Sequence, residues 1–528
     1  MRDFQLPGRS AAYASTAMAA TSHPLATLTA LDVLKAGGLA ADAAVAACAV
    51  QCVVEPQSTG IGGDCWALYS PKEGGVTSLN SSGWTPSAIS AEGLRGEGLE
   101  AMPDGGVASV TVPGAVRGWQ ALLDRHGSMG LDELLRPAIG YARNGFPVTP
   151  RLAFDWARAT WRLERSAAGR DFYLPGGAAP VAGDTMRLEQ LGATLETIAR
   201  RGADAFYEGP LAGAMTASLK SFGGLHGEAD FAEFRPEWTE PISATYRGHT
   251  VYQCPPNGQG VIALLLLQIL EQLELEGLDP NGAERLHLEA EATRLAFRDR
   301  DAVLADPRQA DVPTDRLLDK AYAAALAARI DASAAMPALP PPLLPEHKDT
   351  IYLTVVDRDG NACSFINSLY DSFGSGLVCP ATGVIFHNRG RAFSLAAGHL
   401  NEIAPRKRPM HTIIPGLAFK EGAIWTTFGV MGGDYQPVGH AHLLTNLIDF
   451  GMDPQEAIDA PRAMAYPGPL QVERGAPAAT VRRLAELGHA PVEAASPLGG
   501  GQAIMVDRAR GVLVGGSDPR KDGLALGY

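Results

Sequence analysis

A threonine hydroxyl attacks a carbonyl at neutral pH only with a base beside it. Thr350 can carry that base in its own residue, the α-amino group that a cut after Asp349 would release. It stands where such a cut is feasible: Met336 to Asp349 (MPALPPPLLPEHKD) carries five prolines and no periodicity, so it should be extended and exposed. The bland reading of that segment is an interdomain linker, and a threonine opening a strand is also an ordinary β-branched residue. Other chemistries lack their basic features. No GxSxG elbow, P-loop or GxGxxG after a strand is present. His440 and His442, two apart on one helix, would not share a face, so no metal is expected. The six cysteines (Cys48, Cys52, Cys65, Cys254, Cys363, Cys379) form no CxxC pair or zinc-like cluster and read as reduced, buried small residues.

The elements that must position Thr350 follow from periodicity. TIYLTVVDRDGNACSFINSL gives a hairpin, two alternating runs joined by an Asp-Gly-Asn turn. Further strands are expected at Thr412 to Phe419, Ala423 to Phe428, Gly501 to Val506 and Val512 to Gly515, with a helix from Val438 to Gly451. Nearer the N-terminus, helices over 23–38 and 40–52 precede a glycine turn and a hairpin, STGIGGDCWALYS with GGVTSLNSS. The middle is helical at 114–126, 131–144, 188–201, 260–276 and 283–304. Helices layered with mostly antiparallel strands favour an α+β sandwich.

The segment DTIYLTVVDRDGNACSFINSLYDSFGSG resembles the start of the small subunit in the gamma-glutamyltransferase family of N-terminal nucleophile hydrolases. The likeness continues in order through AGGLAADAAVAA with VVEPQSTGIGGD, YRGHTVYQCPPNGQG, RKRPMHTIIP, MGGD and the closing GGSDPR…GY. Within the family the chain looks like the oxamate amidohydrolases and the glutathione hydrolase-like proteins. The resemblance implies a four-layer αββα sandwich and self-cleavage into a large chain, 1–349, and a small chain, 350–528, interleaved in one structural domain. It makes Thr350 the nucleophile and places the backbone N–H groups of Gly432 and Gly433 in an oxyanion hole. Ser368 falls where the family usually has a second threonine hydroxyl.

Other matched positions depart from the glutamyl-binding pattern. Ser82 lies at about the place of the arginine that holds the glutamyl carboxylate, and in HNRGRAF Ala392 replaces the acidic residue that holds its ammonium. Arg389 stands for a glutamine, His411 and Thr412 for a serine pair, and Tyr370 for an asparagine. A zwitterionic head would lose both charged partners, leaving one arginine suited to a single carboxylate. The expected substrate is therefore a small acidic amide such as oxamate, held by Arg389 and His411 with Tyr370, Thr412 and Asp434 lining the site. Alternatively, Arg389 forms a structural ion pair with Asp371 or Asp434. Glutathione hydrolase or transferase activity, β-lactam side-chain acylase activity and an uncleaved, non-catalytic binding protein remain alternatives. Asp64, beside the GIGGD glycines, has no assigned role.

No cofactor is implied. The net charge of -14 and the lack of a basic block argue against nucleic acid as a partner. No apolar run is long enough to span a bilayer, and the start lacks a secretory h-region, which makes the cytoplasm the expected compartment. Besides the two chains of one precursor, a homodimer of the processed unit is an assembly left open.

Overall fold

The computed structural model describes residues 5, 8–337, 350–466 and 468–528. The proline-rich segment before Thr350 therefore lies outside the described residues from position 338 onward.

Two seven-stranded antiparallel sheets stack face to face. The first runs in the order Ala12–Ala14, Val512–Ser517, Gly500–Asp507, Ala423–Met431, Gly416–Lys420, His249–Gln253, Ile242–Tyr246. The second runs Leu524–Gly527, Met18–Thr21, Ile351–Val356, Ala362–Ser368, Asp64–Ser70, Thr77–Ser81, Glu237–Thr239. Side-chain alternation sorts the core. Tyr352 and Val356 point between the sheets with Trp66, Leu68, Leu417 and Ile504, whereas Ile351, Leu353 and Val355 point outward with Cys65, Ala67 and Tyr69. That outer face is covered by the helices Pro24–Lys35 and Ala40–Val54. Every residue of Ala40–Val54 is buried, which its alanine-rich sequence allows. The outer face of the first sheet packs on the helices Gly260–Glu271, Ala283–Val303 and Gln436–Ile448. The four-layer αββα sandwich is the α+β arrangement expected.

The hairpin forms as read, with Ile351 opposite Asn367 and Val356 opposite Ala362. Its turn is tied by Asp357, whose Oδ1 accepts from the N–H groups of Asp359 (3.0 Å) and Asn361 (2.9 Å). Gly360 supplies the left-handed residue at φ 85°. Some boundaries differ. The helix expected over 131–144 is two, Leu131–Leu134 and Arg136–Asn144, with Pro137 in the first turn of the second. The helix expected over 260–276 stops at Glu271, and the strand expected from Thr412 begins only at Gly416. The strands Ile242–Tyr246 and His249–Gln253 and the helices Pro150–Arg158, Pro210–Ser221 and Ala478–Glu486 were not anticipated.

Candidate active site

Hairpin register brings the first two site residues together. Thr350 immediately precedes one strand and Ser368 ends its partner, and Thr350 Oγ1 lies 3.2 Å from Ser368 Oγ, both residues buried. Ser368 Oγ also accepts from Tyr370 N at 2.8 Å, where the chain turns sharply with Tyr370 at φ 82°.

Arg389 reaches the same hydroxyl from the turn Arg389–Ala392. Its Nη2 donates to Ser368 Oγ (3.2 Å), its Nη1 donates to Thr412 Oγ1 (2.9 Å), and the guanidinium sits 4.0 Å from the centroid of the Tyr370 ring. Both hydrogen-bond partners are neutral, and Nε has none among the described residues. The alternative ion pair does not form: Asp371 binds Arg162 and Arg391, at 3.1 and 2.7 Å, and Asp434 binds Arg300 at 2.6 Å. Complete burial pulls the Arg389 pKa down to about 10, so the group stays cationic at neutral pH. A buried cation whose direct partners are all neutral is costly.

Asp64 holds the wall behind this cation. Its Oδ1 accepts from the backbone N–H groups of Gly83 (3.0 Å) and Gly114 (3.3 Å), and its Oδ2 lies 3.1 Å from His411 Nε2. Burial alone would raise its pKa, but His387, the His411 hydrogen bond and the Arg389 charge keep it below the ordinary carboxylate range. His411 itself is pushed down to about 3 by burial and by Arg389, so it is neutral. Its Nδ1 accepts weakly from Ile413 N at 3.4 Å. Both ring nitrogens are thus committed within the protein, and Asp434, likewise expected to meet substrate, is committed to Arg300.

Gly432 and Gly433 follow the strand Ala423–Met431, which crosses the Thr350 strand between the sheets. Thr354 Oγ1 lies 2.6 Å from Thr427 Oγ1, and the Tyr352 ring fills the space where a Cβ on Gly429 would sit. Two residues back on one strand thus match two forward on the other. The two strands therefore run in opposite directions across the interface, so the Thr350 end of one and the glycine-pair end of the other lie toward the same end of the sandwich. Gly432 adopts φ 125° and Gly433 φ 57°, conformations suited to glycine. Gln259 Nε2 ties this loop to the Arg389 wall, donating to Thr412 O (2.8 Å) and Gly433 O (3.0 Å). A cavity of about 240 Å³ adjoins the loop, lined by Gly499, Arg158, Arg162, Arg391, Lys521 and Asp371 among others.

Sequence reading missed Asp64, Gln259 and Arg300. Asp64 stood out beside its glycines, but its partners are scattered along the chain. His440 and His442 face different partners, Gln253 for the first and Arg285 with Glu289 for the second.

The sequence profile described as Gamma-glutamyltranspeptidase matches residues 26–528. The chain belongs to the gamma-glutamyltranspeptidase family. It is 39% identical over 523 residues to a glutathione hydrolase-like proenzyme of Bacillus subtilis (strain 168), covering 97% of this chain and 98% of that one. It is 36% identical over 529 residues to the oxamate amidohydrolase proenzyme of Klebsiella pneumoniae, with 97% and 98% covered. Among solved structures, the cephalosporin acylase from Bacillus halodurans superposes with a TM-score of 0.92 at 40% identity, covering 100% of this chain and 99% of that one. The chain thus aligns over 97–100% of its length with proteins whose names refer to different amides. No helix among the described residues is long and apolar enough to cross a membrane.

Proposed function

We propose that this chain is a precursor that cuts itself before Thr350, giving residues 1–349 and 350–528, and that the freed threonine hydrolyses a small acidic amide of the oxamate type. The observation that carries the reading is that Thr350 Oγ1 and Arg389 Nη2 both lie 3.2 Å from the same Ser368 oxygen. A carboxylate on Arg389 is therefore only a short spacer away from the nucleophile. Oxamate, whose carboxylate is bonded directly to its amide carbonyl, fits that spacing. A γ-glutamyl group sets its carboxylate three carbons farther off and brings an ammonium that meets Ala392 instead of an acid. The cavity beside the glycine loop, where Arg158, Arg162, Arg391 and Lys521 outnumber Asp371 and Asp155, also favours anions.

In the reaction, Thr350 Oγ bonds to the amide carbon while its proton passes to the α-amine. The oxyanion is received by the N–H groups of Gly432 and Gly433. Collapse breaks the C–N bond, the α-ammonium proton leaves with ammonia, and water hydrolyses the ester through the same amine. The similarity to a cephalosporin acylase favours a second reading, release of an acyl side chain from a β-lactam nucleus.

Intact-mass analysis under denaturing conditions, followed by a substrate panel, tests both parts. The parent protein is expected as two fragments, the smaller beginning at Thr350, and Thr350→Ala as one inactive chain. Ammonia release from oxamate should exceed glutamate release from glutathione and acyl release from a cephalosporin. A matured or active Thr350→Ala protein would refute the nucleophile, and preference for either other substrate would refute the acidic-amide assignment.

A further inference from the structure

We infer that His287, Glu291 and His489 form a binding site for one divalent metal ion of zinc's ligand preference. His287 and Glu291 are one turn apart on the helix Ala283–Val303 and so share a face. His489 arrives just after the helix Ala478–Glu486. One ligand atom from each lies within 4.8 Å of the others, with His287 and Glu291 buried and His489 half-buried, which leaves a way in.

The hydrogen bonds around these groups leave donor atoms facing one another. His287 Nε2 lies 2.8 Å from the carbonyl oxygen of Asp331, and a carbonyl can only accept, so that nitrogen carries the proton. Nδ1 is then a lone pair, directed at His489 Nε2 at 2.7 Å. A histidine whose far nitrogen is anchored on a carbonyl while the near one points inward is the arrangement that orients metal ligands. Glu291 is held from outside, Oε1 accepting from Arg294 (2.9 Å) and Oε2 from Met336 N (2.6 Å). Each carboxylate oxygen has two lone-pair sites, so each keeps one. Two imidazole nitrogens and one carboxylate are a donor set that suits zinc. Tetrahedral ligation at about 2.0–2.1 Å requires the two nitrogens to part to roughly 3.3 Å. The half-buried His489 loop is the side able to make that move.

The site would join three stretches of chain: the long helix, the loop after Ala478–Glu486, and the residues around Met336, whose carbonyl and that of Pro337 are also held by Arg294. Met336 lies shortly before the expected cut, so bound metal would staple the tail of the large chain to the small one. Only this consequence rests on the cleavage reading.

The test uses the mature protein, stripped with a chelator and titrated with zinc by calorimetry, and with cobalt(II) for its visible absorption. One equivalent should bind, with the intense bands of a tetrahedral cobalt site, and zinc should raise the Tm. His489→Gln keeps a donor for His287 Nδ1 but removes the ligand, and should weaken binding at least tenfold without loss of the far-ultraviolet spectrum. Glu291→Gln should weaken it similarly. Failure of the parent to take up one equivalent, or binding unchanged in a folded His489→Gln protein, would show that the two imidazoles are only hydrogen-bonded to each other. Neither readout depends on amidase activity.

Discussion

Arg389 is buried with its hydrogen bonds on two hydroxyls and its charge on a ring face. Its pKa falls from the ordinary guanidinium range to about 10 on folding, first through loss of hydration. Because the folded value lies below the unfolded one, the cation opposes folding at every pH below about 10, by at most ~3 kcal/mol. Substrate carboxylate would offset that cost. Arg389→Met should therefore keep or raise stability at pH 7 in denaturant titrations, while kcat/KM for an acidic amide falls about 10²-fold, the loss of ~3 kcal/mol of charge-assisted bonding. With the parent, binding of the anion should be flat across neutral pH and lost as pH rises through about 10. A variant that lost stability and kept its kinetics would mean that Arg389 is structural. This residue was legible because a cation had taken the place of a neutral amide. His411 was legible as a neighbour of the site but not in its role, since nothing local in RKRPMHTIIP shows that Asp64, far back in the chain, takes its Nε2.

Elements near the site end where backbone groups turn to side chains. The strand expected from Thr412 starts late because Thr412 O accepts from Gln259 and Ile414 N donates to Gln436 Oε1, leaving no ladder partner until Gly416. Pro415, which has no N–H to give a ladder, is the one mark of this in TIIPGLAF, whereas the Ile351–Val356 hairpin, satisfied by its own pairing and by Asp357, was read correctly. The same dependence on neighbours governs the glycine loop after Met431. At Gly432 a Cβ would come 2.8 Å from Gly499 Cα, and φ is 125°. Gly432→Ala should cost about 1–3 kcal/mol in local strain. If its N–H faces the oxyanion, displacement should lower kcat by about 10²–10³-fold with little change in KM. Steady-state kinetics on whatever fraction matures would check this, and parental kcat would remove the loop from the mechanism.

At the scale of the whole molecule, the cut would fall inside a sandwich that neither product can build alone. In the first sheet, small-chain strands from Val512–Ser517 to Gly416–Lys420 lie between large-chain Ala12–Ala14 and His249–Gln253. In the second, Met18–Thr21 of the large chain is clasped between Leu524–Gly527 and Ile351–Val356, and Ala362–Ser368 pairs with Asp64–Ser70. Fold class was legible from element types and family resemblance, but this strand order was not, because neighbours so far apart in sequence leave no local trace. The order has a physical consequence. Separating the products would strip ladder hydrogen bonds from both sheets and expose the Trp66, Tyr352 and Ile504 core between them. The two chains should therefore elute together and appear as one 1:1 complex in native mass spectrometry, parting only under denaturant in a single transition with loss of secondary structure. Either chain expressed alone should be insoluble or unfolded. Fragments that separated under native conditions with their circular dichroism intact would contradict the interleaving, since each would then have to satisfy its sheet edges without the other.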